Sequence, residues 1–336
     1  MARFIALRLL ALVAILWVLV TIVFFIRTVI PSDPARTLAG PGATPQLLAL
    51  ERQRLGLDKP ILTQYVIYLS DAVRGNLGTS IHTRNPVADD LAQTVPASLE
   101  LMLASLVVVL VLGLAMGLLG AASVRGATAL RLVMVGGASI PSFLFGLLAL
   151  VFLYSKLHLF PDGGRLSPSI AAPSGPTGLY VIDGLLSLRF DVVVNALWHL
   201  ALPALVLGIG PALVLGRILQ SSLRSVMTQD YIRTARAKAL TERRVLLGHA
   251  LRNALNAPLS LTGLEVGAML AGIAVVEDVF SWPGIGQYIV QSITASDFPA
   301  IAGVTLVIGA AYVVVNAAVD VAQVIADPRL RRSSAT

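Results

Sequence analysis

Six long stretches of the chain are almost wholly apolar: residues 9–26, 101–122, 132–154, 196–216, 254–276 and 299–326. Each approaches or exceeds the roughly 20 residues a helix needs to cross a bilayer. The first contains one polar residue, Thr21, and the second only Ser105. The third lies between Arg131 and Lys156 and is interrupted by small residues, two serines and Pro141. The fourth holds His199, Pro203 and Pro211, the fifth Glu265, and the sixth Asn316 and Asp320. The pattern predicts six membrane helices, with both termini on one side. Arg3 and Arg8 ahead of the first stretch give it the look of a signal peptide. It is long for that role, and no small-x-small cleavage site follows before Arg27, so a retained helix is expected.

Basic residues set the orientation. With the N-terminus inside, the inner segments 1–8, 123–131, 217–253 and 327–336 carry 15 of the 25 Lys and Arg residues. The outer segments 155–195 and 277–298 carry 3, and segment 27–98 is too long for the rule to apply. Both termini are therefore expected in the cytoplasm. The net charge of +7 is explained by these inner loops, without recourse to nucleic acid. The basic residues also lack the interleaved aromatics of a single-strand-binding groove.

Composition agrees with a membrane protein. Of 336 residues, 56% are hydrophobic and 13% charged, about half the charged share of a soluble protein. With no cysteine, disulfide scaffolds, cysteine-ligated metal sites and thiol catalysis are excluded. There is no Gly-Lys dipeptide and hence no Walker-type phosphate loop. The four histidines lack ligand spacing, and no serine sits in a nucleophile-elbow setting.

The chain divides into residues 1–30 (N-terminal segment and first helix), 31–97 (an extracytoplasmic cap segment), 98–326 (a five-helix core) and 327–336 (a cytoplasmic tail). Within the cap, helical periodicity over 45–57 and 60–73 is followed by a Gly75-Asn-Leu-Gly78 turn. These helices are expected to pack on the membrane-helix ends. The outer insertion 155–195 is rich in Pro and Gly from Pro161 to Gly178, which precludes long regular elements. It reads equally as an ordered loop or a mobile one. Trp282, just outside the fifth stretch, has the position of an interfacial anchor, and His199 that of an interfacial residue.

The inner loop 217–253 is long enough to have a role of its own. Asp230-Tyr-Ile-Arg-Thr-Ala-Arg-Ala-Lys-Ala-Leu240 predicts a helix with its acid at the start and its bases further on. Thr241 is placed to cap a second short helix. Tyr231, Ala235 and Leu240 are expected to supply apolar contacts, and Arg233, Arg236 and Lys238 charge. Such a surface also suits a loop lying on anionic headgroups. The small residues Thr234, Ala235, Ala237 and Ala239 favour a helix held against another protein.

Carboxylates at mid-helix cost about 2.5–3.5 kcal/mol on insertion scales and face protein or a wet cavity. Glu265 lies between Gly263 and Gly267, and Asp320 follows Asn316 by four residues on one helix face. They are candidates to line a solute path or relay protons. The alternative is structural: an interhelical hydrogen bond at Asp320 and close helix packing at the glycines.

The elbow, with His249-Ala-Leu-Arg-Asn-Ala254 after it, resembles the coupling-helix motif of ABC importer permeases. More narrowly, it is similar to the dipeptide/oligopeptide/nickel permease family. Ile30-Pro-Ser-Asp-Pro-Ala35, Leu55-Gly-Leu-Asp-Lys-Pro60 and Gly75-Asn-Leu-Gly-Thr-Ser80 agree with that family. So do Val276-Glu-Asp-Val-Phe-Ser-Trp-Pro-Gly-Ile-Gly286 and Asp327-Pro-Arg329, all in order along the chain. The family commonly carries Gly where Ala239 stands, and because Ala suits helix better a somewhat different bend is expected.

The resemblance implies an all-α, six-helix permease of the type I importer class in a bacterial inner membrane. Its implied partners are a second homologous permease, two cytoplasmic ATPase subunits (or one fused chain), an extracytoplasmic substrate-binding protein and membrane lipids. ATP and Mg would sit in the ATPases, leaving this chain without cofactor or catalytic site. Residues 230, 231 and 233–240 would form the ATPase-coupling contact, and the cargo would be dipeptides or oligopeptides. Rival readings are a proton-coupled transporter using Glu265 or Asp320, and a non-transporting membrane scaffold.

Overall fold

The computed structural model describes residues 2–29, 34–40, 42–54, 56–121 and 127–326. The Ile30-Pro-Ser-Asp33 run, Leu55, part of the first inner loop and the tail with Asp327-Pro-Arg329 lie outside these residues, as does the side chain of Asp320. The described residues are mostly helical and contain no strand. In chain order come α1 (Ala2–Val29), α2 (Pro34–Ala39), α3 (Pro45–Arg54), α4 (Ile61–Val73) and α5 (Val87–Ala121). Next are α6 (Ala127–Gly137), α7 (Ser142–Ala149), which runs on as π-helix over Leu150–Lys156, α8 (Tyr180–Leu186) and α9 (Phe190–Met227). The elbow follows as α10 (Asp230–Ala237), α11 (Glu242–Arg244), a π-helical turn Val245–Ala250 and α12 (Leu251–Ala254). Helices α13 (Asn256–Val279), α14 (Ile285–Thr294) and α15 (Phe298–Ala326) complete the described chain.

Helices α5, α9 and the Phe298–Ala318 part of α15 are long and apolar enough to cross a membrane. Two bent pairs bring the number to five if each counts as one span: Thr128–Gly137 with Ser142–Lys156 at 106°, and Glu242–Pro258 with Leu261–Val279 at 49°. The single helix predicted over 132–154 is thus two helices meeting at a sharp break. Gly136 and Gly137 weaken the end of α6, and the residue before Pro141 is sterically biased away from helix. Pro203 and Pro211, by contrast, stay inside α9, as membrane helices allow. At 38 residues, α9 is roughly 57 Å long, well beyond a hydrocarbon core of about 30 Å.

The residues form two compact units. In the first (1–95 and 284–313), Val20, Val23 and Phe24 of α1 are buried. Gly309 of α15 meets α1 so closely that a Cβ there would lie 2.2 Å from Leu19. Two buried carboxylates organise the loop from Gly75 to Pro86. Asp297 accepts hydrogen bonds from Ser80 Oγ (2.6 Å), the His82 amide (3.0 Å) and the Ala300 amide (3.2 Å), and so also caps α15. Asp90 accepts from Asn85 Nδ2 (3.1 Å), Tyr288 OH (2.9 Å) and the Thr83 hydroxyl.

The second unit (96–283 and 314–336) contains the Pro/Gly-rich segment 155–195, which is ordered by buried polar side chains. Arg165 pairs with Glu100 at 2.6 Å, donates to the Gly178 carbonyl at 2.8 Å, and lies 3.5 Å above the Tyr180 ring centroid. Glu100 also accepts from the Val181 amide at 2.8 Å. Asp183 accepts from the Thr177 hydroxyl (2.7 Å) and the Gly178 amide (2.8 Å).

His199 is buried rather than interfacial, with Nδ1 2.8 Å from the Gly163 carbonyl and Nε2 3.1 Å from Ser167 Oγ. A carbonyl can only accept, so Nδ1 carries the proton and the serine hydroxyl donates to Nε2. Trp282 also departs from its expected place. It is buried in the core formed by α5, α9 and α13, and its indole N–H donates to the Ala97 carbonyl at 2.9 Å. Glu277, in the same motif, is fully buried and accepts from the Ser98 hydroxyl.

Breaking one side of a buried ion pair costs about 3–5 kcal/mol, because the remaining charge is left uncompensated. Arg165→Met should therefore speed amide exchange across residues 160–182 and lower the thermal midpoint. Adding Glu100→Gln should restore part of the loss.

Candidate functional site

The elbow grows out of the end of α9. Arg224 donates to the Gly120 carbonyl at 3.2 Å and Gln220 donates to the same oxygen, tying this end of α9 to the end of α5. The helix stops at Met227, and an extended Gln229 (ψ 151°) turns the chain into α10. Asp230 sits in its first turn and Arg236 in its last, both favourable to the helix dipole.

Ile232 and Ala235, three residues apart, share the inward face of α10. They pack with Leu219 and Leu223 of α9, Val245 and Ala250 of the π-helical turn, and Ala254 of α12. Ile232 is fully buried. Burial of a side chain this size stabilises by about 1.5–3 kcal/mol, so α10 is held rigidly to the ends of the helices it joins. Two polar ties add to this: Ser222 Oγ to the Ala254 carbonyl at 2.8 Å, and Asn253 Nδ2 to Tyr231 OH at 2.9 Å.

The bend between α10 and α11 departs from the sequence expectation. The helix predicted to reach Leu240 ends at Ala237, and Ala239 takes φ +57°, in the left-handed region. This is where a helix-ending Gly would sit, so Ala239 adopts the bend a glycine would make and bears the steric cost of its Cβ. Thr241 is extended at the start of α11, as a cap should be, but its hydroxyl makes no capping bond. The turn is instead closed by Arg236, whose Nε and Nη2 donate to the two carboxylate oxygens of Glu242 at 2.8 and 3.1 Å. Hydrogen bonding to Arg236 holds the Glu242 carboxyl below its ordinary value and raises Arg236.

The exposed face of α10 and its turn carries Asp230, Tyr231, Arg233, Thr234, Arg236, Ala237, Lys238 and Ala239. Tyr231, expected as an apolar contact, is 43% exposed, whereas Ala235 points into the chain's own core. Leu240, also expected in the partner contact, packs against the same cluster. Ile232 and Glu242 were missed. The first was legible in the three-residue spacing to Ala235, while the second pairs across a turn whose shape the sequence did not reveal.

Of the residues expected in a solute path, Glu265 is half-buried in α13, beside the buried Gly263. Asn316 is half-buried in α15, and Asp320 lies in that helix with its side chain outside the described residues. A separate, mostly apolar cavity of about 620 Å³ adjoins the break between α6 and α7, with Gly136, Gly137, Ile140, Phe145, Ile209 and Pro211 in its wall.

Residues 109–332 match the family described as binding-protein-dependent transport system inner membrane component, and residues 1–102 match its N-terminal companion family. The chain is 42% identical to a probable D,D-dipeptide transport system permease protein of Escherichia coli K12, over 93% of this chain and 92% of the relative. It is 38% identical to a di/tripeptide transport system permease protein of Pseudomonas aeruginosa, over 98% of this chain and 99% of that one. A glutathione transport system permease protein of Escherichia coli O6:H1 is 36% identical over 98% and 99% of the two chains.

Two outcomes follow from the elbow's geometry. Ala239→Gly should stabilise it by roughly 1 kcal/mol, seen as slower amide exchange over residues 236–242. Because the Glu242 value is lowered by folding, the ion pair's contribution is present above the ordinary carboxylate range, near pH 4, and is lost as pH falls through the lowered value. Protection of the turn's amides, measured against their intrinsic exchange rate at each pH, should therefore fall in acid, and Glu242→Gln should abolish that fall.

Proposed function

Because this chain belongs to the family of binding-protein-dependent transport system inner membrane components, we propose that its elbow is the surface through which cytoplasmic ATPase subunits drive peptide import. The chain is a permease and not an enzyme. The observation that carries the reading is the two-sided α10: Ile232 and Ala235 fasten it inward, and a cationic face of small residues is left outward. A rigid helix seated in a partner's cleft transmits displacement without chemistry of its own.

In this reading six helices cross the membrane, α1 and the two bent pairs included, with both termini in the cytoplasm. A second homologous permease completes the pore, two ATPase subunits hold the ATP and magnesium, and an extracytoplasmic binding protein delivers the solute. ATP binding closes the ATPases, the elbow moves with them, and the pore opens outward; hydrolysis reverses the change. The cargo is a short peptide. The relatives named for D,D-dipeptides, di/tripeptides and glutathione share amide-linked solutes of two or three residues, which supports that class. Glu265, Asn316 and Asp320 line the path.

The test is purification in mild detergent, with identification of co-purifying subunits and assay of ATPase activity. A second permease and Walker-containing ATPases are expected; a chain that stays alone and inactive through several gentle extractions would contradict the proposal. Ala237→Glu, at an exposed position of α10, should abolish peptide uptake while leaving the chain in the membrane. Glu265→Gln should lower uptake, and the remaining uptake should survive an uncoupler as long as ATP persists. Collapse with the uncoupler at constant ATP would instead favour proton coupling.

A further inference from the structure

Helix α4 has an apolar face that nothing in its own unit covers. Leu62, Val66 and Val73, spaced along one stripe, are 73%, 64% and 81% exposed, and Ile61 and Ile67 flank them. Its only charged residue is Asp71 in the last turn, and Lys59 and Arg74 lie just beyond its ends. At 13 residues, α4 is about 20 Å long, too short to cross a bilayer. In water such a stripe would be an exposed apolar patch of the kind that marks an interaction surface.

The flank of α4 that carries Tyr65 and Tyr68, beside the stripe, fixes its depth. Tyr65 OH and Thr21 Oγ1 are hydrogen-bonded at 2.8 Å, and the Phe24 ring lies 5.3 Å from Tyr65 and 5.7 Å from Tyr68. These partners belong to the apolar run of α1, not to its tip. Thr21 precedes Ile26, the end of that run, by five residues, or roughly 7–8 Å along the axis. That matches the depth of about 5–10 Å at which interfacial helices bury their apolar face. Tyr65 and Tyr68 are of the type enriched at the headgroup level. The exposed face of α1 at the same level carries Val18, Ile22, Phe25 and Ile26, and in an inner-membrane protein it faces acyl chains. The stripe of α4 continues it.

We propose that α4 lies within the leaflet at the C-terminal end of α1, with Leu62, Val66 and Val73 packed against lipid acyl chains. The cap segment then holds the pore's first helix from the side, within the membrane, rather than resting on the helix ends. The inference depends on α1 spanning the bilayer, as proposed above. The wet ends of α4, with Lys59 and Arg74, sit where long cationic side chains reach the headgroups.

With no cysteine in the chain, nitroxide labels can be placed one at a time at Leu62, Val66 and Val18 of the transporter assembled in lipid nanodiscs. Power saturation then compares access by oxygen, which partitions into lipid, with access by a water-soluble nickel chelate. The proposal expects oxygen to relax the labels at 62 and 66 several-fold more than nickel does, as at position 18. Nickel dominance at 62 and 66 with oxygen dominance at 18 would overturn it while leaving α1 as a span. Poor access by both reagents at 62 and 66 would overturn it in favour of a covering protein subunit. Nickel dominance at 18 would overturn the spanning of α1, and this inference with it.

Discussion

The burial of Ile232 beneath α10 is the contact on which the functional account rests. The elbow is eight residues of helix between sharp turns, too short to be stable in water by itself. Its order comes from the apolar cluster shared with Leu219 and Leu223 on α9 and with Val245, Ala250 and Ala254 leading into α13. Interiors packed in this way have low compressibility and transmit strain. On the proposed reading, displacement of α10 is passed to the ends of α9 and α12, and the outward face is free to carry charge because the inward face supplies the stability.

A second constraint operates at the membrane's edge. A span ends where backbone groups lose their helical partners, and the segments joining spans must satisfy those groups without exposing them to lipid. Here a few buried side chains serve that purpose. Asp297 caps α15 while holding Ser80 and His82 of the preceding loop, and Glu100 binds both Arg165 and the Val181 amide at the head of α8. Close approach completes the work: a Cβ on Gly163 would sit 2.0 Å from the Phe280 carbonyl oxygen, so only glycine lets segment 155–195 pack against that turn. An insertion rich in proline and glycine is thus ordered by polar side chains and not by regular structure.

Much of this was legible in the sequence because it is local. Apolar length located the long helices, the periodicity over 45–57 and 60–73 located α3 and α4, and the elbow's two helices followed from its charge order and turn residues. What escaped was set by distant partners. Glu100 and Arg165 are 65 positions apart, and no local pattern links them. Trp282 stands at the end of an apolar run, as an interfacial anchor would, and only the fold brings its N–H to Ala97. Ala239 has the propensity of a helix residue, but Leu240 and Val245 beyond it pack on the cluster beneath α10, and this tertiary packing overrides that preference. Pro141 resembles Pro203 and Pro211, which stay inside α9, and glycines precede Pro211 as they precede Pro141, so local sequence does not mark the break.

The central claim is that α10 presents one face to an ATPase and the other to its own chain. A cysteine at Ala237 and another at Ile232, in separate otherwise cysteine-free chains, test it directly in membranes containing the co-expressed system. A short bifunctional reagent should join position 237 to an ATPase subunit, with a yield that changes on nucleotide binding, and should leave position 232 unjoined. Failure to capture an ATPase from position 237, or from the exposed positions 233 and 234 beside it, would contradict the account.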